Sequence, residues 1–308
     1  MIEVHGLTKK YGPVTAVDDL TFEVKPGVVT GFLGPNGAGK STTMRMIVGL
    51  DKPTSGEALI NGTPYAALKD PLRHVGALLD AKAVHPNRSA YNHLLWMAQT
   101  HGIPKSRVSE VLTMVGLNDV ARKKVGGFSL GMGQRLGLAA AMLGDPEVLL
   151  LDEPVNGLDP EGIRWVRTFL QALAREGRTV LVSSHLLSEM ALMADDLVVI
   201  GRGKLIAATS VDEFTHQAAG TVTRVRTENL EELESALASE ELSFTRIQDE
   251  RGRDAIDVAD VDTDFVGKLA YSYGVLVTEL SAHETSLEDA FMALTSDAVQ
   301  YRAPEGEA

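Results

Sequence analysis

The chain has 308 residues, no cysteine and a formal net charge of −13, and 44% of its side chains are hydrophobic. That is enough apolar material for one large domain and one small one, and it excludes intrinsic disorder, a disulfide framework and thiolate metal sites. No apolar run reaches the roughly 18 residues of a membrane span, and residues 1–5 lack the charged and apolar segments of a secretion signal, so a cytosolic chain is expected.

In chain order, the first informative stretch is the strand-like run 28–33, which enters Gly34-Pro35-Asn36-Gly37-Ala38-Gly39-Lys40-Ser41. This fits the phosphate-cradling pattern G-x-x-x-x-G-K-[ST] at every fixed position. Small residues let consecutive backbone N–H groups wrap a triphosphate, and residues 42–48, opening at Thr42, continue in helical register so that a helix N-terminus faces the anion. Lys40 is placed to reach the β- and γ-phosphates and the Ser41 hydroxyl to join Mg²⁺, so the expected ligand is a magnesium–nucleotide complex.

Residues 86–128 read as mostly helical. Leu94, Leu95 and Ala98 within 89–101, and Val108, Val111, Leu112 and Val115 within 107–116, form the stripes of amphipathic helices. Ser129 is a good N-cap for an apolar helix over about 132–143, which ends before Asp145-Pro146. The run 147–153 reads as a buried parallel strand ending in Asp152 and Glu153, the pattern of the carboxyl edge of an α/β sheet. There Asp152 is suited to holding Mg²⁺, and Glu153 to polarising the water that attacks a γ-phosphate. The strand-like run 179–185 delivers His185 to its end, and 197–206 reads as a hairpin.

Residues 215–220 mark a boundary, and the charge changes there. Residues 1–220 carry 22 acidic and 22 basic side chains, whereas 221–308 carry 20 acidic against 7 basic and so hold the whole net charge. That acidity argues against nucleic-acid or anionic-membrane binding by the tail. Strand patterns at 223–226, 244–247, 255–258 and 275–280, with helical ones at 230–242 and 265–273, give the β-α-β-β-α-β order of a ferredoxin-like layer. Residues 285–294 look like a capped amphipathic helix.

With the loop, the acid pair and His185 in this order, residues 1–219 resemble the ATP-binding subunit of an ABC transporter. The resemblance implies an α/β fold, namely a P-loop NTPase cassette with a mixed β core and a helical subdomain at about 86–140, followed by a small α+β domain at 220–308. It assigns Tyr11 to adenine stacking, His185 to the γ-phosphate, and Asp159 of Asn156-Gly157-Leu158-Asp159 to the contact between two cassettes. The signature motif, Leu-Ser-Gly-Gly-Gln in the family, is matched only partly by Phe128-Ser129-Leu130-Gly131-Met132-Gly133-Gln134-Arg135. Ser129 and Gly131 are retained, while Leu130 and Met132 depart from it. In the family this helix faces the nucleotide on the other cassette, so the working unit contains a second one. Where the family has glutamine this chain has Asp80, which either reaches the nucleotide through Mg²⁺ or faces solvent. The final helix resembles that of the accessory domain on drug- and antibiotic-exporting subunits, where regulation, dimer support and passive packing stay open.

The resulting expectation is an ATPase that dimerises around two Mg-ATP, most simply as a homodimer, and powers a separate transmembrane permease in export. It would sit peripherally on the inner face of the membrane and bind no nucleic acid. A soluble ABC ATPase acting on ribosomes or DNA is the alternative, weakened by the single cassette and the absence of a sustained heptad repeat or a strongly basic segment. A regulator that uses ATP only to dimerise is a third, in conflict with Glu153.

Overall fold

A computed structural model describes residues 1–80, 83–185, 187–219, 221–248, 252–284, 287, 288 and 291. Two compact units divide between Ser210 and Val211. The first contains β1 (Ile2–Tyr11), β2 (Val14–Val24), β3 (Val29–Leu33), α1 (Lys40–Ile47), β4 (Ser55–Ile60), β5 (Val75–Leu78), α2 (Ala90–Thr100), α3 (Lys105–Met114) and α4 (Leu130–Ala141). It continues with β6 (Val148–Asp152), α5 (Pro160–Arg175), β7 (Thr179–Ser183), α6 (Leu187–Met193), β8 (Asp196–Gly201) and β9 (Lys204–Ser210).

A six-stranded sheet runs β5-β6-β7-β3-β8-β9, parallel except for the antiparallel pair β8 and β9. Its inner strands are short continuous apolar runs because helices cover parallel sheets on both faces, and every residue of β3 and β7 is buried. A three-stranded antiparallel sheet, β2-β1-β4, stands beside it. Met44, Met46 and Ile47 of α1 join Ile2, Leu20 and Phe22 of that sheet and Phe32, Leu150 and Leu181 of the other in one apolar cluster. The helix that opens at the phosphate loop is therefore anchored by both sheets.

The carboxyl ends of β3, β6 and β7 fall side by side, since Thr30 pairs with Leu181, and Leu150 with Leu181 on the other flank. Such strand ends are where α/β sheets build their sites. The stripes expected in the helical region are largely core, with Leu94, Ala98, Val108, Val111, Leu112 and Val115 buried and Leu95 half-buried. The signature helix starts earlier than its apolar pattern suggests, because Ser129 caps it directly, its Oγ accepting the Met132 N–H at 3.2 Å.

The second unit begins with α7 (Val211–Ala219), so residues 215–219 are helical. β10 (Thr221–Thr227), α8 (Leu230–Ser239), β11 (Phe244–Gln248), β12 (Asp254–Ala259), α9 (Thr263–Ser272) and β13 (Val277–Glu284) follow. The four strands form an antiparallel sheet ordered β11-β12-β10-β13. This is the ferredoxin-like arrangement expected from the element order. Leu233, Leu237, Val266 and Leu269 of α8 and α9 pack on Val225, Ile256 and Val258 of the sheet. Most of the helix expected at 285–294 lies outside the described residues.

Candidate functional site

The loop 34–39 has little freedom to be anything but glycine-rich. A Cβ on Gly34 would lie 2.5 Å from the Ile200 carbonyl oxygen, and one on Gly39, whose φ is +106°, would lie 2.6 Å from that of Ala16. Both obstacles are backbone, which cannot swing away as a side chain can. Gly37 also takes a positive φ, and the Ala38 N–H closes a turn on the Pro35 carbonyl at 3.0 Å, with Asn36 exposed at its tip. α1 then starts with no side-chain cap and no acid in its first turn, which holds Lys40, Ser41 and Thr42. Its first N–H groups lack intrahelical partners, so this end is an anion site by construction.

Lys40 is 7% exposed, and its ammonium donates to the carbonyl of Gly34 at 2.5 Å and of Pro35 at 3.3 Å. Burial lowers its pKa, while the nearby carboxylates of Glu153 and Asp152 act in the opposite direction. A buried cation resting on its own loop's carbonyls is suited to exchanging them for an anion.

β6 brings Asp152 to the same place. Its Oδ2 accepts the Ser41 hydroxyl at 2.6 Å, and its Oδ1 accepts the hydroxyl of Ser183 at the end of β7. Glu153 follows with φ +51°, an uncommon left-handed backbone for a residue of this size. Its N–H donates to Ser183 twice, to Oγ at 3.0 Å and to the carbonyl at 3.2 Å. Its carbonyl accepts from the Asn156 N–H at 3.2 Å and from the Gln134 amide at 3.3 Å. Its carboxylate meets His185 Nδ1 at 2.6 Å. A carboxylate offers only acceptors, so the ring's Nδ1–H donates to it and Nε2 is left for another partner.

Lys40, Ser41, Asp152, Glu153 and His185 are thus brought together. Ser183 and Gln134 belong to the same constellation but were not singled out in the sequence. The place of Ser183 at the end of a strand neighbouring the acid pair was the signal for it, and Gln134 lies within the partly matched signature segment 128–135.

Other residues stand apart. Tyr11 ends β1 and is 48% exposed. Its hydroxyl donates to Asp51 at 3.2 Å, Asp51 is held by Arg45 of α1 at 2.8 Å, and Lys9 Nζ lies 4.9 Å from the ring centroid. The ring is therefore fixed to the helix that carries the loop, with a cation over it. Asp80 is exposed two residues past β5, the strand flanking β6, and its carbonyl accepts the Ala83 N–H at 3.2 Å. Ser129 and Gly131 sit at the start of α4. The Asp159 carboxylate caps α5, accepting the Gly162 N–H at 2.8 Å. Leu130 leans on the loop that precedes α5, its Cδ2 lying where a Cβ on Gly157 would be, and Gly157 takes a φ of +72°.

A family model described as ABC transporter matches residues 17–156, and one described as a domain of unknown function (DUF8746) matches residues 221–288. The uncharacterized ABC transporter ATP-binding protein YhcH of Bacillus subtilis (strain 168) is 46% identical over 69% of this chain and 71% of its own length. The bacitracin transport ATP-binding protein BcrA of Bacillus licheniformis is 45% identical over 70% of this chain and 71% of its own. Among solved structures, an ATP-binding subunit of an ABC transporter superposes with a TM-score of 0.65 at 27% identity, covering 70% of this chain and 92% of that one.

Proposed function

The chain belongs to the ABC transporter family as an ATP-binding subunit, and on that premise we propose how its residues divide the hydrolysis of ATP and what that turnover drives. The observation that carries the reading is the convergence of a buried lysine, a serine–aspartate pair at 2.6 Å and a glutamate held by a histidine, contributed by α1, β6 and the end of β7.

In this reading Gly34, Pro35, Asn36, Gly37, Ala38 and Gly39, with the first N–H groups of α1 at Ser41 and Thr42, cradle the phosphates. Lys40 exchanges its carbonyl partners for β- and γ-phosphate oxygens. The Ser41 hydroxyl and the Asp152 carboxylate would hold Mg²⁺, a hard cation that takes oxygen ligands. Asp80 is the further candidate on that side. When bound, the ion neutralises charge that develops on the β- and γ-oxygens. Glu153 has one carboxylate oxygen on His185 and the other available to orient and deprotonate the attacking water, and His185 turns Nε2 to the γ-phosphate. Tyr11 offers the adenine the ring face opposite Lys9. Asp159, whose carboxylate caps α5, orders the loop at the contact between the two cassettes.

Subunits of this family work in pairs with a membrane permease. For this chain a homodimer is the simplest pairing, with Ser129, Gly131 and the positive end of α4 addressing the partner's nucleotide. Among the described residues no helix is long and apolar enough to cross a membrane, which supports a separate permease and a peripheral position on the inner face of the membrane. The relative whose name refers to bacitracin transport supports export of amphipathic antibiotic-like molecules. We read residues 1–219 as the cassette and 220–308 as the acidic accessory domain, while the compact units divide earlier, so that α7 falls in the second.

Capture of tagged Glu153→Gln from mild-detergent extracts with Mg-ATP tests this. A stoichiometric polytopic membrane protein is expected, together with a loss of turnover of about 100-fold or more. Ribosomal or DNA-bound partners with no permease would replace the transporter reading with that of a soluble ATPase.

A further inference from the structure

Gln134 is 7% exposed on α4, the helix whose first turn holds Ser129 and Gly131. Its Nε2 donates to the backbone carbonyl of Glu153 at 3.3 Å, while its buried Oε1 has no hydrogen-bond partner among the described residues. The reverse orientation of the amide would set two acceptors against each other, so the donor faces Glu153. A buried acceptor left unmatched is costly, and a methionine would fill the same space without that cost. Packing therefore does not account for a glutamine here. Satisfying the Glu153 carbonyl does not either, since the Asn156 N–H already donates to it. What the amide supplies is a polar link from α4 to the peptide unit that sets the Glu153 backbone, which holds a left-handed φ of +51°.

We propose that Gln134 is a positioning residue that ties the placement of Glu153 to the position of the signature helix in the same cassette. The inference rests on the reading of Glu153 as the base. Glu153 is fixed from the sheet side by Ser183 and from the helical side by Gln134. The neighbouring Arg135 lies 4.6 Å from the Trp165 ring of α5 and donates to the Val115 carbonyl at 3.2 Å, so α4 bears on the core at adjacent positions. Engagement of the α4 N-terminus by the partner's nucleotide then acts on the carboxylate that works on the cassette's own nucleotide. The coupling runs through one hydrogen bond between α4 and the residue that follows β6, so any displacement of α4 is felt at the Glu153 peptide.

The experiment is steady-state ATP hydrolysis by the full chain as parent, Gln134→Met, Glu153→Gln and the double variant, with affinity for a fluorescent ATP analogue and the thermal unfolding midpoint measured alongside. Gln134→Met is expected to lower kcat three- to tenfold, as for loss of one neutral hydrogen bond. KM, analogue affinity and the unfolding midpoint should hold or, for the last, rise. In the Glu153→Gln background the substitution should add nothing, because the group it positions is already disabled. An unchanged kcat would overturn the inference, and so would a fall matched by losses of affinity and stability. Full turnover by Glu153→Gln would instead remove the parent reading, so the two failures are distinct. If Gln134→Met does not fold, Gln134→Leu carries the same test.

Discussion

Ser183→Ala isolates the part of the site built by the sheet. The Ser183 side chain is fully buried; its hydroxyl donates to Asp152 Oδ1 and accepts the Glu153 N–H at 3.0 Å. The Glu153 N–H keeps a second acceptor, the Ser183 carbonyl at 3.2 Å, and Asp152 keeps the Ser41 hydroxyl at 2.6 Å. Alanine thus removes one hydrogen bond to a carboxylate, about 1.5–3 kcal/mol, and opens a gap no larger than an oxygen atom. If that bond strengthens as charge moves in the transition state, the corresponding loss in kcat is roughly 10- to 150-fold. If it is equally strong in the resting enzyme, the loss appears in stability, at roughly 2–4 °C of unfolding midpoint for each kcal/mol. Phosphate release at saturating ATP, with thermal unfolding on the same samples, separates the two. We expect kcat to fall about tenfold or more with KM little changed, and Ser183→Cys, a weaker donor, to fall between. A kcat within twofold of the parent would refute the argument that Ser183 orients the acid pair.

Gly39→Ala should abolish binding of a fluorescent ATP analogue, because it puts a Cβ 2.6 Å from the Ala16 carbonyl at a φ of +106°. Tyr11→Ala should raise KM for ATP with little change in kcat, base stacking being worth about 1–3 kcal/mol, whereas Tyr11→Phe should stay near the parent because Arg45 still holds Asp51. Asp80→Gln should shallow the Mg²⁺ dependence of turnover, and coincident titration curves would place Asp80 outside the ion's reach. Burial, with Arg88 second, holds His93 below its ordinary pKa of 6.5. The unfolded chain then binds the extra proton, so this contribution to stability is present above 6.5 and lost as pH falls toward the folded value. The parent-minus-His93→Leu difference in urea midpoint should therefore fall as pH is lowered below 6.5 and be flat well above it.

The chemistry of the phosphate loop was legible without coordinates because it is local. Its glycines, its lysine and the helix it opens act within a few residues of one another, and the backbone conformations they require are written in residue type. The strand that ends in Asp152 and Glu153, the Ser129 cap, the core stripes of α2 and α3 and the order of elements in the acidic tail were legible for the same reason. The antiparallel sheet that seats Tyr11 is not legible in the sequence. β1 shifts register between Val4 and Leu7 and again near Lys9, which breaks the alternation that would have marked it. Nor could any local pattern bring Ser41 within 2.6 Å of a carboxylate 111 positions later. That distance exists because β3 and β6 both pair with β7. The positive φ of Glu153 and its holds by Ser183, His185 and Gln134 likewise arise only once strands and helices from distant segments have packed. Residue types determined what this chain can bind, and the register of the parallel sheet decided which groups meet to act on it, since register is set by hydrogen bonds between segments that are remote in the chain.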